Sequence, residues 1–158
     1  MQKHSRGFTL VEIMIAVAII GILVTLAIPA LLRNRVNANE AATKANLQTF
    51  ATMAESFRTA QATPAYPLDI NALTSATPSY LDTTWGTGTT ATKSGYDFTY
   101  LRASATQYAM IAEPDLAGST GNNSFCIDET GLLWTSATSA GAFSATPCSA
   151  GTGATTIS

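Results

Sequence analysis

Residues 8–32 read FTLVEIMIAVAIIGILVTLAIPALL, an apolar stretch in which Glu12 is the only charged residue. At about 1.5 Å of rise per residue, a helix of this length reaches across a hydrocarbon core of about 30 Å. The sequence therefore predicts a membrane-spanning helix near the start of the chain, with the remaining residues folded outside the bilayer.

Glu12 is the residue that a plain membrane anchor does not explain. A carboxylate inside the bilayer costs about 2.5–3.5 kcal/mol on insertion scales, and such residues usually have a functional partner. No lysine or arginine lies in the same stretch. A cut between Gly7 and Phe8 creates a new amine at Phe8, about one helical turn from Glu12.

This segment resembles the class III signal of type IV prepilins and related pseudopilins. The resemblance rests on a short basic leader that ends in Gly7, on Phe8 as the next residue and on Glu12 as the fifth residue after the leader. Gly21 and Pro29 stand where the family commonly carries a glycine and a proline. The resemblance implies a prepilin peptidase that cuts after Gly7 and methylates the Phe8 amine. It also implies a mature chain that is stored in the inner membrane before it joins a filament.

Two ordinary explanations of the apolar stretch account for less. A secretory signal has a small-residue cleavage site after its apolar core, but the nearest candidate, Thr25-Leu26-Ala27, is followed by Ile28, Pro29 and more apolar residues. A single-pass anchor accounts for the length but not for Glu12 or the Gly7-Phe8 junction.

The composition argues against catalysis and against nucleic-acid binding. The one histidine, His4, lies in the leader, so a chain cut after Gly7 has no histidine for a catalytic triad, a zinc site or a general base. No basic block follows Arg33 and Arg35, so the positive stripe of a nucleic-acid interface is missing. We predict a protein that is not an enzyme, with no cofactor, no metal site and no specific nucleic-acid partner.

The two cysteines, Cys126 and Cys148, have neither CxxC nor zinc-ligand spacing. The Ser- and Thr-rich remainder of the chain favours an exported domain, in which two such cysteines usually form a disulfide. Two buried, reduced thiols are the alternative.

The helix is predicted to continue beyond the membrane. No glycine or proline follows Pro29 until Pro64. An apolar stripe at helical spacing predicts a face packed on a sheet: Leu47, Phe50, Ala51, Ala54 and Phe57. Gly21 lowers helix propensity and Pro29 lacks an N–H, so the segment between them is predicted to be weak. In filaments of the resembling family this stretch can unwind when subunits pack.

The rest of the chain predicts an α+β pilin fold, in which the long helix packs on a small antiparallel sheet of three or four strands. The segment Thr83 to Gly95 is expected to be an exposed loop. Strands are expected at Tyr96–Leu101, Gln107–Ala112, Ser124–Asp128 and Leu132–Thr135. From Ser136 the tail is rich in small residues, with Cys148 as its only evident tether.

We thus divide the chain into a leader (1–7), a membrane and polymerisation half of the helix (8–32), an amphipathic half (33–61) and a globular domain with a C-terminal disulfide loop (62–158). The function predicted is a structural subunit of a type IV pilus, a polymer of identical subunits built through the N-terminal helix. The expected partners are prepilin peptidase, inner-membrane lipid and the assembly machinery. The subunit is expected in the bacterial inner membrane first and in an extracellular filament afterwards.

The alternative is a pseudopilin of type II secretion, in a periplasmic pseudopilus. Asp82 and Trp85-Gly86 faintly resemble the Asp-Pro-Trp-Gly of that class, but Thr83-Thr84 replaces the proline. Those proteins bind calcium in a C-terminal loop. Here we expect Asp115, Asp128 and Glu129 to be solvated turn carboxylates rather than ligands.

Overall fold

A computed structural model describes residues 8–137, 141–143 and 146–157. The described residues fall into two compact units that divide between Asn34 and Arg35. The helices are α1 (Leu10–Ala60) and the short α2 (Asn71–Thr74). The strands are β1 (Thr90–Lys93), β2 (Tyr96–Arg102), β3 (Tyr108–Pro114), β4 (Ser124–Asp128), β5 (Leu133–Ser136) and β6 (Thr155–Ile157).

The amphipathic half of α1 presents one stripe to the core, as predicted. Leu47, Phe50 and Ala54 are fully buried at intervals of three and four residues, which places them on one helical face. Ala51 and Phe57 are partly buried against the same cluster. The helix therefore supplies one wall of the domain core.

The sheet is the other wall. Its strands are antiparallel and follow chain order, β1-β2-β3-β4-β5-β6. Tyr96, Phe98 and Tyr100 of β2 are buried while Asp97 is exposed, which confirms the predicted aromatic face. The α+β arrangement of a long helix on an antiparallel sheet is therefore confirmed.

The sheet has six strands rather than the three or four that we predicted. The two additional strands are the edge strands β1 and β6, and their residues are exposed or only partly buried. Edge strands of this kind are held by main-chain hydrogen bonds to one neighbour and need no alternation of apolar residues. Their threonines consequently resembled loop residues in the sequence.

The segment Thr83–Gly95 is also not the exposed loop that we expected. It begins with a 3-10 turn, Thr83–Trp85, capped where the Asp82 side chain accepts a hydrogen bond from the backbone N–H of Thr84 (2.8 Å). The turn places Trp85 in the core, where its side chain is 2% exposed. The Lys93 ammonium lies 4.5 Å from the centre of the Trp85 ring and covers it.

The C-terminal segment covers the outer face of the sheet. Ala109, Ile111 and Cys126 on that face form a second buried cluster with Phe143 and Cys148. Strand β4 is consequently buried on both faces, since Phe125 and Ile127 point to the helix and its alternate residues point to the C-terminal segment. The tail from Ser136 is therefore tethered by packing and by β6 as well as by Cys148.

We predict that Phe50→Ala lowers the free energy of unfolding by about 3–5 kcal/mol, because it opens a cavity among rings that are already closely packed. Urea unfolding of the full chain in detergent, followed by tryptophan fluorescence, measures the change. The control is Thr49→Ala at the neighbouring exposed position, for which the expected change is within about 0.5 kcal/mol. Equal midpoints for the two variants would show that Phe50 does not carry this contact.

Candidate membrane and assembly segment

The first half of α1 exposes its apolar side chains. The large apolar residues from Phe8 to Leu32 are between 45% and 78% exposed. In the described part of the chain, α1 is the helix that is long and apolar enough to cross a membrane. A continuous apolar surface of this size marks a contact with lipid or with other protein.

Thr9 caps the start of this helix, which our sequence interpretation missed. The backbone N–H of Glu12 donates to the Thr9 hydroxyl at 3.2 Å, which is the first half of a capping box. The signal was present in the sequence as Thr9-x-x-Glu12, three residues apart before an apolar run. Glu12 thus has a local position at the helix N-terminus, where the helix dipole favours negative charge.

The carboxylate of Glu12 has neither an ion pair nor a hydrogen bond among the residues that the structure describes. Helix-dipole stabilisation of an acidic residue near the N-terminus is typically 0.3–1 kcal/mol, which is smaller than the cost of the charge in lipid. The charge is therefore only partly compensated within one chain. Gly7, the predicted cleavage position, lies in the leader, outside the described residues.

Gly21 and Pro29 share one stripe of α1 with Thr25, at intervals of four residues. Pro29 lies inside the helix and supplies no N–H for the carbonyl of Thr25. The Thr25 hydroxyl donates to the carbonyl oxygens of Ile22 (2.7 Å) and Gly21 (3.3 Å). A side chain at Gly21 would meet nothing within 4 Å, so packing within the described structure does not require glycine there.

Cys126 and Cys148 form a disulfide, with their Cα atoms 5.7 Å apart. Both residues are fully buried. The bridge joins β4 to the 3-10 turn Cys148–Ala150. Next to this turn, the backbone of Gly151 packs closely against the Phe143 ring. A Cβ on Gly151 would lie 2.3 Å from that ring.

Asp128 corrects our expectation of a solvated turn carboxylate. It is 1% exposed, and its oxygens accept hydrogen bonds from the Thr130 backbone N–H (3.1 Å) and the Cys148 backbone N–H (3.0 Å). It thereby joins the β4–β5 hairpin to the disulfide loop. Glu129 is half-buried, and only Asp115 is exposed as expected. The described residues contain no cluster of three or more potential metal ligands.

Comparison with known proteins connects the segment to pilus subunits. A family described as the prokaryotic N-terminal methylation motif matches residues 2–28. The type IV wide pilus major component PilA4 of Thermus thermophilus is 32% identical over 111 residues, which cover 70% of this chain and 75% of that protein. The type IV major pilin protein PilA of Myxococcus xanthus is 45% identical over 56 residues, or 35% of this chain and 26% of that protein. No solved structure is significantly similar to the chain.

We predict that Cys148→Ser lowers the free energy of unfolding by about 3 kcal/mol, because the bridge closes a loop with a sequence separation of 22 residues. Urea unfolding of the full chain in detergent measures it, with Ser149→Ala as the control at an exposed neighbouring position. Reduction of the unsubstituted protein should bring its unfolding midpoint to that of the variant. If the unfolding midpoint of the unsubstituted protein does not change when reductant is added, the prediction is wrong.

Proposed function

Because this chain belongs to the type IV pilin family, we propose that it is made as a prepilin, is cleaved after Gly7, is methylated at Phe8 and polymerises through the first half of α1. Its function is that of a structural subunit of a type IV pilus. One observation supports the proposed assembly route best: from Phe8 to Leu32 the helix is apolar and exposed, with Glu12 as its only charge.

The exposed half of α1 requires an apolar environment before and after assembly. The inner-membrane bilayer covers it in the precursor, and neighbouring copies of the same helix cover it in the filament. The charge on Glu12 is the feature that a lipid environment does not stabilise. The Glu12 carboxylate is stabilised on assembly if a neighbouring subunit places a cation beside it in the helix bundle.

The proposed cation is the amine of Phe8 that cleavage creates. A carboxylate in an apolar bundle is stabilised by a well-placed ammonium, and the pairing selects one register among the many that an apolar surface allows. Cleavage is thus a condition for assembly, since an uncut chain has a peptide bond at Phe8 instead of an amine. The weak stretch from Gly21 to Pro29 then adjusts the helix as subunits pack.

The partners proposed are copies of this chain, a prepilin peptidase and the inner-membrane assembly machinery. The filament lies outside the cell and the precursor lies in the inner membrane. Both relatives are named as components of type IV pili, which favours a pilus over a secretion pseudopilus. We assign no catalytic role to the chain.

Processing is tested by the intact mass of the mature protein. We expect a chain that begins at Phe8 and carries one additional methyl group, because cleavage after Gly7 exposes the Phe8 amine and this amine is the proposed methylation site. Gly7→Leu should leave the uncut precursor in the membrane, whereas Gly21→Ala, a control at the other glycine of this segment, should be cut normally. A mature chain that begins elsewhere would refute the proposed processing.

The role of Glu12 is tested by separating its charge from its position in the helix cap. Glu12→Gln removes the charge but retains a residue that suits the capping box. We expect this variant to insert and to be cleaved, yet to give at least tenfold fewer sheared filaments, which corresponds to about 1.4 kcal/mol of lost pairing.

The matched control is Thr9→Ala, which removes the cap and keeps the carboxylate. A lost cap typically costs about 1 kcal/mol of helix stability, which a membrane or a helix bundle supplies readily, so we expect filaments from this variant. Normal filaments from Glu12→Gln would refute the proposed pairing. If Thr9→Ala gives no filaments and Glu12→Gln gives normal ones, assembly depends on the helix cap and not on the charge of Glu12.

A further inference from the structure

A polar cavity of about 360 Å³ opens between α1 and the β4–β5 hairpin. Its walls lie entirely in the unit that begins at Arg35. Its polar lining is mostly acidic or hydroxylic and includes Glu55, Tyr66, Tyr108, Asp128, Glu129 and Thr130. We call it the Glu129 cavity. The space is large compared with the roughly 30 Å³ share of one water in the liquid.

Two of its three carboxylates have strong partners. Glu55 accepts hydrogen bonds from the Arg58 guanidinium (2.6 and 2.9 Å) and from the Tyr66 hydroxyl (2.8 Å). The hydrogen bond from Arg58 holds the pKa of Glu55 below its ordinary value. Asp128 is held by the hairpin and by the disulfide loop. These two groups are therefore occupied in the folded chain.

Glu129 is different. Its one hydrogen bond among the described residues is a long one from the backbone N–H of Tyr108 (3.3 Å). No lysine or arginine in the described part of the chain forms an ion pair with it. The cavity thus carries a negative charge that the same chain does not balance.

Tyr108 also lines the cavity and provides an independent indication of a ligand. Its side chain is 2% exposed, yet its hydroxyl has no hydrogen-bond partner among the described residues. Burial raises the pKa of Tyr108 far above its ordinary value, so the group stays a neutral phenol. Its hydroxyl oxygen is not fully enclosed, so an entering donor can reach it through the cavity that Tyr108 lines.

The chain carries cations that can balance the negative charge of Glu129. Arg33 and Arg35 are exposed and form no ion pair with a described residue. Lys44, Arg58 and Lys93 have aromatic or acidic neighbours. Arg102 has no ion pair with a described residue either, but it is half-buried and its Nε is enclosed within its own domain. A guanidinium offers five N–H donors in a planar fork, which suits a site built from carboxylate and hydroxyl acceptors.

We propose that the Glu129 cavity receives a guanidinium from residues 33–35 of a second copy of this chain. The guanidinium pairs with Glu129 and donates to the Tyr108 hydroxyl. The donor and acceptor surfaces are different parts of one chain, so the contact is heterologous and repeats along an open filament instead of closing into a dimer. This inference rests on the proposed function, since it assigns a contact within the filament.

Charge reversal tests the contact. Glu129→Arg should lower the yield of sheared filaments about tenfold or more, within the range that close interfacial charge pairs reach. A second reversal, Arg33→Glu or Arg35→Glu, should restore most of the yield in the Glu129→Arg background. The control is Asp115→Arg, which reverses an exposed carboxylate outside the cavity and should leave the yield unchanged.

Cross-linking tests the contact without altering Glu129. Thr130→Cys places a thiol at the exposed edge of the cavity, and combination with Asn34→Cys, which keeps both arginines, should give covalent ladders in oxidised filaments. Asp115→Cys combined with Asn34→Cys should give none.

Filaments from the unsubstituted chain keep this test separate from the proposed function. If they form, normal assembly of Glu129→Arg refutes the cavity contact. The contact is also refuted if neither reversal rescues that variant and no ladder appears. In both cases the proposed function as a pilus subunit is unaffected. If the processed, unsubstituted chain forms no filament, the proposed function itself fails.

Discussion

The folded unit depends on one contact, the packing of Phe50 on three aromatic rings. Its ring centre lies 5.4 Å from that of Tyr100, 5.7 Å from Trp85 and 6.1 Å from Tyr108. These rings come from β2, from the 3-10 turn and from β3, so one helical side chain joins three segments that are distant in sequence. Because Leu47 and Ala54 are buried on the same stripe, any rotation of α1 in this unit would expose apolar surface. The contact therefore determines which face of the sheet is covered by the helix.

The opposite face of the sheet depends on covalent and polar contacts. The Cys126–Cys148 bridge, the hydrogen bond from the Cys148 backbone to Asp128 and the pairing of β6 with β5 all hold the C-terminal segment against it. The segment contributes few large apolar residues, with Phe143 as the main one. The bridge compensates for the small hydrophobic area that such a segment buries, and the hydrogen bonds to Asp128 offset the cost of burying its carboxylate.

The two halves of α1 differ in how their apolar side chains are covered. From residue 35 the helix buries a stripe against its own domain, whereas from Phe8 to Leu32 its apolar side chains are exposed. A type IV pilin needs this division, because a subunit that covered its whole helix would have no surface left for lipid or for neighbouring subunits. Charge then provides what apolar surface cannot, namely register, and the unbalanced groups at Glu12 and Glu129 are suited to that role.

The sequence alone determined the features that follow from local patterns. The apolar stretch, the Gly7-Phe8 junction with Glu12, the helical stripe around Phe50 and the aromatic alternation of β2 are all patterns of near neighbours along the chain. The Thr9 cap is likewise a local pattern, Thr9 followed three residues later by Glu12. These features identified the family, the α+β fold and the candidate assembly residues.

Tertiary structure decided the rest. The edge strands β1 and β6 have no apolar alternation, because only their main chain is held by the sheet. Asp128 is buried because Cys148 lies beside it. The Glu129 cavity exists only where α1 approaches the β4–β5 hairpin. In each case the decisive partner is distant in sequence, so its effect appears only once folding has brought the two segments together.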